Sequence, residues 1–307
     1  MTSERSVTRA APPQADSARP SASGLLRLYP ALSNTKFRVL WLGMMPATLA
    51  VMMNQVASPY AGFTLSNSAA ILGVVSLAQG LPMLLLSLVG GVVADRLPRK
   101  LVLMASQMTL GLSAAALAVL GITDKLEVWH IVTASFVQGA SFAFNMPARQ
   151  AYIAELVTRP QLANAAALNN AGQNFCRVAG PALAGMVMGI PRVGIGGAFL
   201  SMAGMYAFAF GALLKLPRTQ QAGAATGRGA VGSVAHLLEG LRYVRSSTAM
   251  MALIAMNLVV VIFGMPYQTL MPVVAERVFG AGAEGLGWLM AASGAGALTG
   301  AIVIATL

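Results

Sequence analysis

Acidic residues are scarce in this 307-residue chain. There are nine Asp and Glu against twenty Lys and Arg, and charged residues of both signs make up only 9%. A soluble domain averages about one-quarter charged residues, so a water-covered fold of this size is excluded. Cysteine is nearly missing: Cys176 stands alone, which excludes an internal disulfide and says nothing about redox compartment. There is no cluster of metal-ligand residues, no phosphate-cradling loop after a strand and no catalytic triad, so no metal, cofactor or enzymatic role is expected. Low hydrophobicity, the mark of disorder, is also lacking, since 57% of the residues are apolar.

What is present is apolar length. From Val39 to Ala94 no Asp, Glu, Lys or Arg occurs, enough for two helices that each cross a hydrocarbon core of roughly 30 Å. Pro59-Tyr60-Ala61-Gly62 followed by Asn67 reads as the turn between them. The spacing predicts spans near 39–58, 69–94, 101–123, 128–148, 161–188, 195–214 and 249–267. An eighth starts near Gly285 and continues to Leu307. Thr158-Arg159-Pro160 is a helix start, with proline in the first turn. The expected class is an all-α polytopic membrane protein.

Basic residues set the expected topology. Sixteen of the twenty fall in the N-terminal tail and in the connections after spans 2, 4 and 6. Those connections include Arg149 and Arg159 between spans 4 and 5. Lys125, Arg192 and Arg277 fall on the other side, and Arg177 lies inside span 5. This asymmetry places the N-terminus in the cytoplasm. The net charge of +11 is thereby accounted for without a nucleic-acid partner. The expected layout is a disordered tail over 1–35, a six-helix domain over 36–216, a cytoplasmic linker over 217–246 and a second membrane unit over 247–307. Within the linker, His236–Arg245 has helical spacing suited to a membrane surface.

Polar residues inside the spans are the candidate pathway. In span 5, Asn169, Gln173 and Arg177 recur every four residues, flanked by Asn170 and Asn174. Amides and a guanidinium at mid-membrane are costly unless they face a cavity or a partner. Pro181 lacks the N–H that would bond the Arg177 carbonyl, so Gly180, Pro181 and Gly185 form an expected kink. Sparser polar faces occur elsewhere, at Asn54, Gln55, Ser76, Gln79, Gln138, Ser141 and Asn145. For these, hydrogen bonding between helices is the competing reading. No carboxylate lies deep in a span, and His130 reads as an edge residue.

The connection after span 2 reads Gly90-Gly91-Val92-Val93-Ala94-Asp95-Arg96-Leu97-Pro98-Arg99-Lys100. It resembles the G-x-x-x-D-R-x-G-R-K signature of the major facilitator superfamily, with Gly91, Asp95, Arg96, Arg99 and Lys100 matching and Pro98 at the usual glycine. Phe37–Gly43, Pro147–Ala151, Leu162–Ala165, Gly180–Gly185, Gly240–Arg245 and Gly285–Met290 are similar to the drug- and siderophore-exporter branch, enterobactin-exporter-like permeases in particular.

The resemblance implies several things. The fold is a facilitator-type six-helix bundle followed by the first two helices of a second bundle. The function is export of a small molecule across a bacterial inner membrane by alternating access, with protons as a candidate coupling ion. The five motif residues form a cytoplasmic gate. Leu72-Gly73…Gly80 and Leu286-Gly287…Gly294 repeat with an offset of 214, which fits two related halves. By that offset the partner of Asp95 would fall just past Leu307, so the expectation is a chain truncated after helix 8. The alternative function is a non-transporting membrane fragment of such a permease.

Overall fold

The computed structural model describes residues 30–217, 242, 246–259, 263 and 266–306. The tail before residue 30 and nearly all of the 217–246 linker, including most of His236–Arg245, lie outside the described residues. Six long helices come first: α1 (Thr35–Ser66), α2 (Ala70–Arg96), α3 (Arg99–Ile122), α4 (Val128–Leu156), α5 (Arg159–Gly189) and α6 (Gly194–Leu214). They are followed by α7 (Thr248–Val259), α8 (Pro266–Val273), which runs on into a π-helical turn at Val274–Val278, and α9 (Gly282–Thr306).

Local chemistry explains the boundaries. The Asn34 side chain accepts hydrogen bonds from the Lys36 and Phe37 N–H groups and so caps α1. Asn67 ends that helix in the left-handed region at φ 51°, a conformation asparagine tolerates. The expected turn at Pro59–Gly62 is therefore corrected. Those residues lie inside α1, which runs about two turns longer than predicted, because Pro59 loses only one backbone bond while Asn67 supplies the stop. At the start of α5, Thr158 and Gln161 form a reciprocal capping box. The tail also ends sooner than expected. Pro30–Ser33 is a 3-10 turn with Ala31 fully buried, its N–H donating to Asn164 Oδ1 at 3.1 Å.

The helices pair as α2 with α4, α3 with α6 and α5 with α9, while α1 touches α2, α4, α5 and α6. Small residues set the closest approaches. A Cβ on Gly139 of α4 would lie 1.9 Å from the Gln79 carbonyl oxygen of α2. One on Gly185 of α5 would lie 2.6 Å from the Gly287 Cα of α9. Only glycine permits either contact. Large apolar side chains point outward instead: Leu84, Leu112, Phe175, Phe208 and Met256 are all at least 60% exposed. That inversion suits lipid, where apolar surface has no reason to hide. Among the described residues, Thr35–Ser66, Ala70–Ser87, Arg99–Ile122 and Gly194–Leu214 are long and apolar enough to cross a bilayer. α4 and α5 are as long but carry the polar residues that line the interior.

Candidate functional site

The signature motif straddles a two-residue joint. α2 ends at Arg96, Leu97 is extended, and Pro98 precedes α3 at φ −56°. Proline fits there because its φ is already near that value, and the residue before a proline prefers extended backbone. Arg99 forms an ion pair with Glu155 near the end of α4 and donates to the Ala151 carbonyl at 3.1 Å. Lys100 is buried, and its Nζ donates to the Leu214 and Leu216 carbonyls at the C-terminus of α6. A cation there satisfies carbonyls that have no intrahelical donor and complements the helix dipole. These two motif cations are thus bound inside the six-helix bundle. Gly91 has nothing within 4 Å of its would-be Cβ. The side chains of Asp95 and Arg96 lie outside the described residues.

Span 5 divides its polar residues among different environments. Arg177 is exposed and lines a cavity of about 490 Å³. The wall includes Asn54, Gln55 and Ser58 of α1, Ser76 and Gln79 of α2, and Pro181 of α5. The opposite wall carries Tyr267, Gln268 and Thr269 of α8 with Ser293 and Gly294 of α9. Among the described residues Arg177 makes no hydrogen bond or ion pair, so its donors face the cavity. Gln138 is 5% exposed, and its Oε1 accepts from Asn54 Nδ2, while the Ser58 hydroxyl donates to Asn54 Oδ1 at 2.9 Å. Asn54 therefore touches the large cavity, and Gln138 holds it from behind. Asn170 and Asn174 are exposed but line neither this cavity nor the one next described. Gly180 packs its backbone on Met52 of α1, and α5 runs unbroken past Pro181 to Gly189.

Asn169 and Gln173 lead elsewhere. Asn169 is 3% exposed and accepts a 3.0 Å hydrogen bond from Arg149, whose other Nη donates to Thr48 Oγ1 at 2.9 Å. Arg149 was expected in a cytoplasmic connection. It sits two turns inside α4 instead, because that helix continues to Leu156. It lines a second cavity of about 80 Å³ together with Thr48, Gln107, Asn145, Gln150, Gln173 and Tyr206. The two cavities share Met52 and are stacked along α1. Gln173 and Arg177, one helical turn apart, look into one cavity each.

Two further residues escaped the sequence. Tyr267 and Ser293 share a 2.6 Å hydrogen bond between their hydroxyls in the large cavity. The polar run Tyr267-Gln268-Thr269 between apolar segments was the available signal. Arg277, after α8, donates to the Asn67 carbonyl at 2.8 Å and lies 5.3 Å from the Phe63 ring centroid. It ties the α8–α9 connection to the end of α1. His130 is accounted for by its cap: its Nδ1 accepts from the Glu127 N–H at 3.1 Å.

The arrangement is a polar cleft lined by α1, α2 and α5 together with α8 and α9 inside an apolar shell, and the sequence matches the transmembrane secretion effector family over residues 27–307. The chain belongs to that family, within the major facilitator superfamily. It is 27% identical to the MFS-type transporter YfiS of Bacillus subtilis over 247 residues, covering 79% of this chain and 57% of the relative. It is 28% identical to the multidrug efflux pump Tap of Mycolicibacterium fortuitum over 260 residues, covering 82% and 62%. It is 22% identical to macrolide efflux protein A of Streptococcus pyogenes over 244 residues, covering 80% and 60%. The chain thus spans about three-fifths of the length of the curated relatives it matches.

Proposed function

We propose that this family member serves efflux of a small molecule across a bacterial cytoplasmic membrane by alternating access. The bundle α1–α6 and a second bundle opened by α7–α9 rock about the cavity that holds Arg177. One observation carries the reading: the 490 Å³ cavity takes polar residues from both units, Arg177, Ser76 and Gln79 on one side and Tyr267, Gln268 and Ser293 on the other. A site shared by two rigid units opens to alternate sides when they tilt. Arg177 holds a polar or anionic group of the cargo, with Asn54 and Gln268 fixing its orientation.

The basic asymmetry supports a cytoplasmic N-terminus, which puts the α1–α2 turn outside and the Asp95 loop inside. The motif residues Gly91, Asp95, Arg96, Arg99 and Lys100 then form the inner gate, with Arg99 and Lys100 bonded within the first bundle. The similar segments around Phe37–Gly43 and Gly180–Gly185 place the chain toward the drug- and siderophore-exporter branch. Proton coupling would use either an unusual titrating group within this chain or one outside its 307 residues, because no carboxylate lies deep in the spans of this sequence.

Transport into inverted membrane vesicles tests the proposal, using the 307-residue chain with Arg177→Ala and Asp95→Asn. Both substitutions should lower flux at least about tenfold, which corresponds to about 1.4 kcal/mol or more of lost interaction. Unchanged flux in both would sink the assigned roles. No flux from the unmodified chain would favour the second reading, a non-transporting fragment. That reading rests on the chain spanning about three-fifths of its relatives.

A further inference from the structure

The cavity around Arg149 is distinct from the one that carries the proposed transport role. Its guanidinium enters from α4 and is held by two neutral oxygens, Thr48 Oγ1 and Asn169 Oδ1. Among the described residues no carboxylate pairs with it. The ion pair formed nearby, between Arg99 and Glu155, belongs to the end of the same helix and leaves Arg149 out. An interior cation without a counter-charge is costly in a low-dielectric environment, and such groups are ordinarily paired or bound to a ligand.

The surroundings are built for a guest. Asn145 and Gln107 line the same cavity at 8% and 2% exposure. Asn145 Nδ2 and Gln107 Oε1 are both buried with no hydrogen-bond partner. Polar atoms this deep are nearly always satisfied. The cavity of about 80 Å³ has room for several waters, since one needs roughly 10–15 Å³. A small anion with one or two waters fits that space and chemistry. The guanidinium and the Asn145 amide supply donors to the anion, Gln173 and Gln150 stand on the wall, and a water satisfies the Gln107 oxygen. A cation is disfavoured, because Arg149 is the sole charged side chain lining the cavity.

We infer that Arg149, with Asn145 and Gln173, forms a binding site for a small monovalent anion, either a free inorganic ion or a carboxylate borne by the cargo. The site lies one station inward from Arg177 and shares Met52 with its cavity. A carboxylate-bearing cargo would thus meet Arg149 first and Arg177 second. That order rests on the permease reading. Occupancy of the site does not.

Equilibrium dialysis of the full chain in zwitterionic nanodiscs, with radiolabelled chloride and separately acetate, tests the site. Saturable binding is expected. Arg149→Gln should weaken it about tenfold or more, as expected for losing charge-assisted hydrogen bonds, and Asn145→Leu should weaken it several-fold. Arg192→Gln, an exposed cation just past the end of α5, should change it less than about twofold. Acetate binding assigns the site to a carboxylate, and chloride binding without acetate assigns it to an inorganic ion. Absence of saturable binding by either probe overturns the inference. So does equal affinity in Arg149→Gln, or an equal loss in Arg192→Gln. If Arg149→Gln does not fold, the Asn145→Leu result decides, and unchanged affinity there also overturns it. Because binding is read at equilibrium, a failure here leaves the efflux assay untouched, and a chain without flux can still bind the anion.

Discussion

Replacing Arg277 by alanine should open the cavity at the end of the bundle where α1 turns into α2. The perturbation removes a contact between the α8–α9 connection and the end of α1. Arg277 Nη2 donates to the Asn67 carbonyl at 2.8 Å and to Asn67 Oδ1 at 3.3 Å, and the guanidinium lies 5.3 Å from the Phe63 ring. Asn67 is the C-cap of α1, so the cation also meets the negative end of that helix. Arg277 and Asn67 are exposed, and solvent screening limits the ionic part to about 0.5–1 kcal/mol. A cation–π contact at an exposed site adds about 0.5–1 kcal/mol. If the contact exists only when this end is closed, its loss shifts the closed-to-open ratio by the sum, about 1–2 kcal/mol, or about 5–30-fold. The lone Cys176 makes the assay simple. In a Cys176→Ser background, Ser76→Cys puts a thiol on the cavity wall. A membrane-impermeant maleimide added from the outer side should label it about 5–30 times faster once Arg277 is alanine. An unchanged labelling rate, with an unchanged thermal midpoint, would refute Arg277 as a latch.

Two stability predictions accompany it. Lys100→Met leaves the Leu214 and Leu216 carbonyls without their buried donor and should cost about 1–3 kcal/mol; a thermal scan in detergent should show a midpoint lower by several degrees, and no change would remove the capping role. Gly139→Ala drives a methyl group into the Gln79 carbonyl oxygen and should cost about 1–3 kcal/mol, whereas Gly73→Ala, which has nothing within 4 Å, should be close to neutral in the same scan.

Much of the fold was legible because a bilayer imposes simple rules. Thr158-Arg159-Pro160 announced the start of α5, and the uncharged run from Val39 announced two helices. Errors arose where one residue carried two meanings. Pro59 looked like a turn, yet a membrane helix tolerates proline, and Asn67 supplied the actual stop. Arg149 looked like a loop cation, because a basic residue near a span end ordinarily holds topology. Nothing in a one-dimensional pattern reveals that α4 runs to Leu156 and turns that guanidinium inward. Asn54 and Gln138 carried two readings, pathway lining or hydrogen bonding between helices, and the fold joins them to each other across α1 and α4. Tyr267 and Ser293 were passed over because their partnership depends on where α8 and α9 cross.

The sequence by itself determined the class of solvent, the number and rough limits of the first six helices, and the family. Each of these follows from local length, charge and signature residues. Tertiary structure alone decided which polar side chains share a space. It put Arg99 and Lys100 into bonds within the bundle, gave Arg177 and Arg149 separate cavities, and set Arg277 against Asn67. The reason is geometric. A helix turns its face by about 100° per residue, so a shift of one position or an extra turn redirects a side chain from lipid to interior. Close glycine contacts such as Gly185 on Gly287 fix that register only once the helices have met.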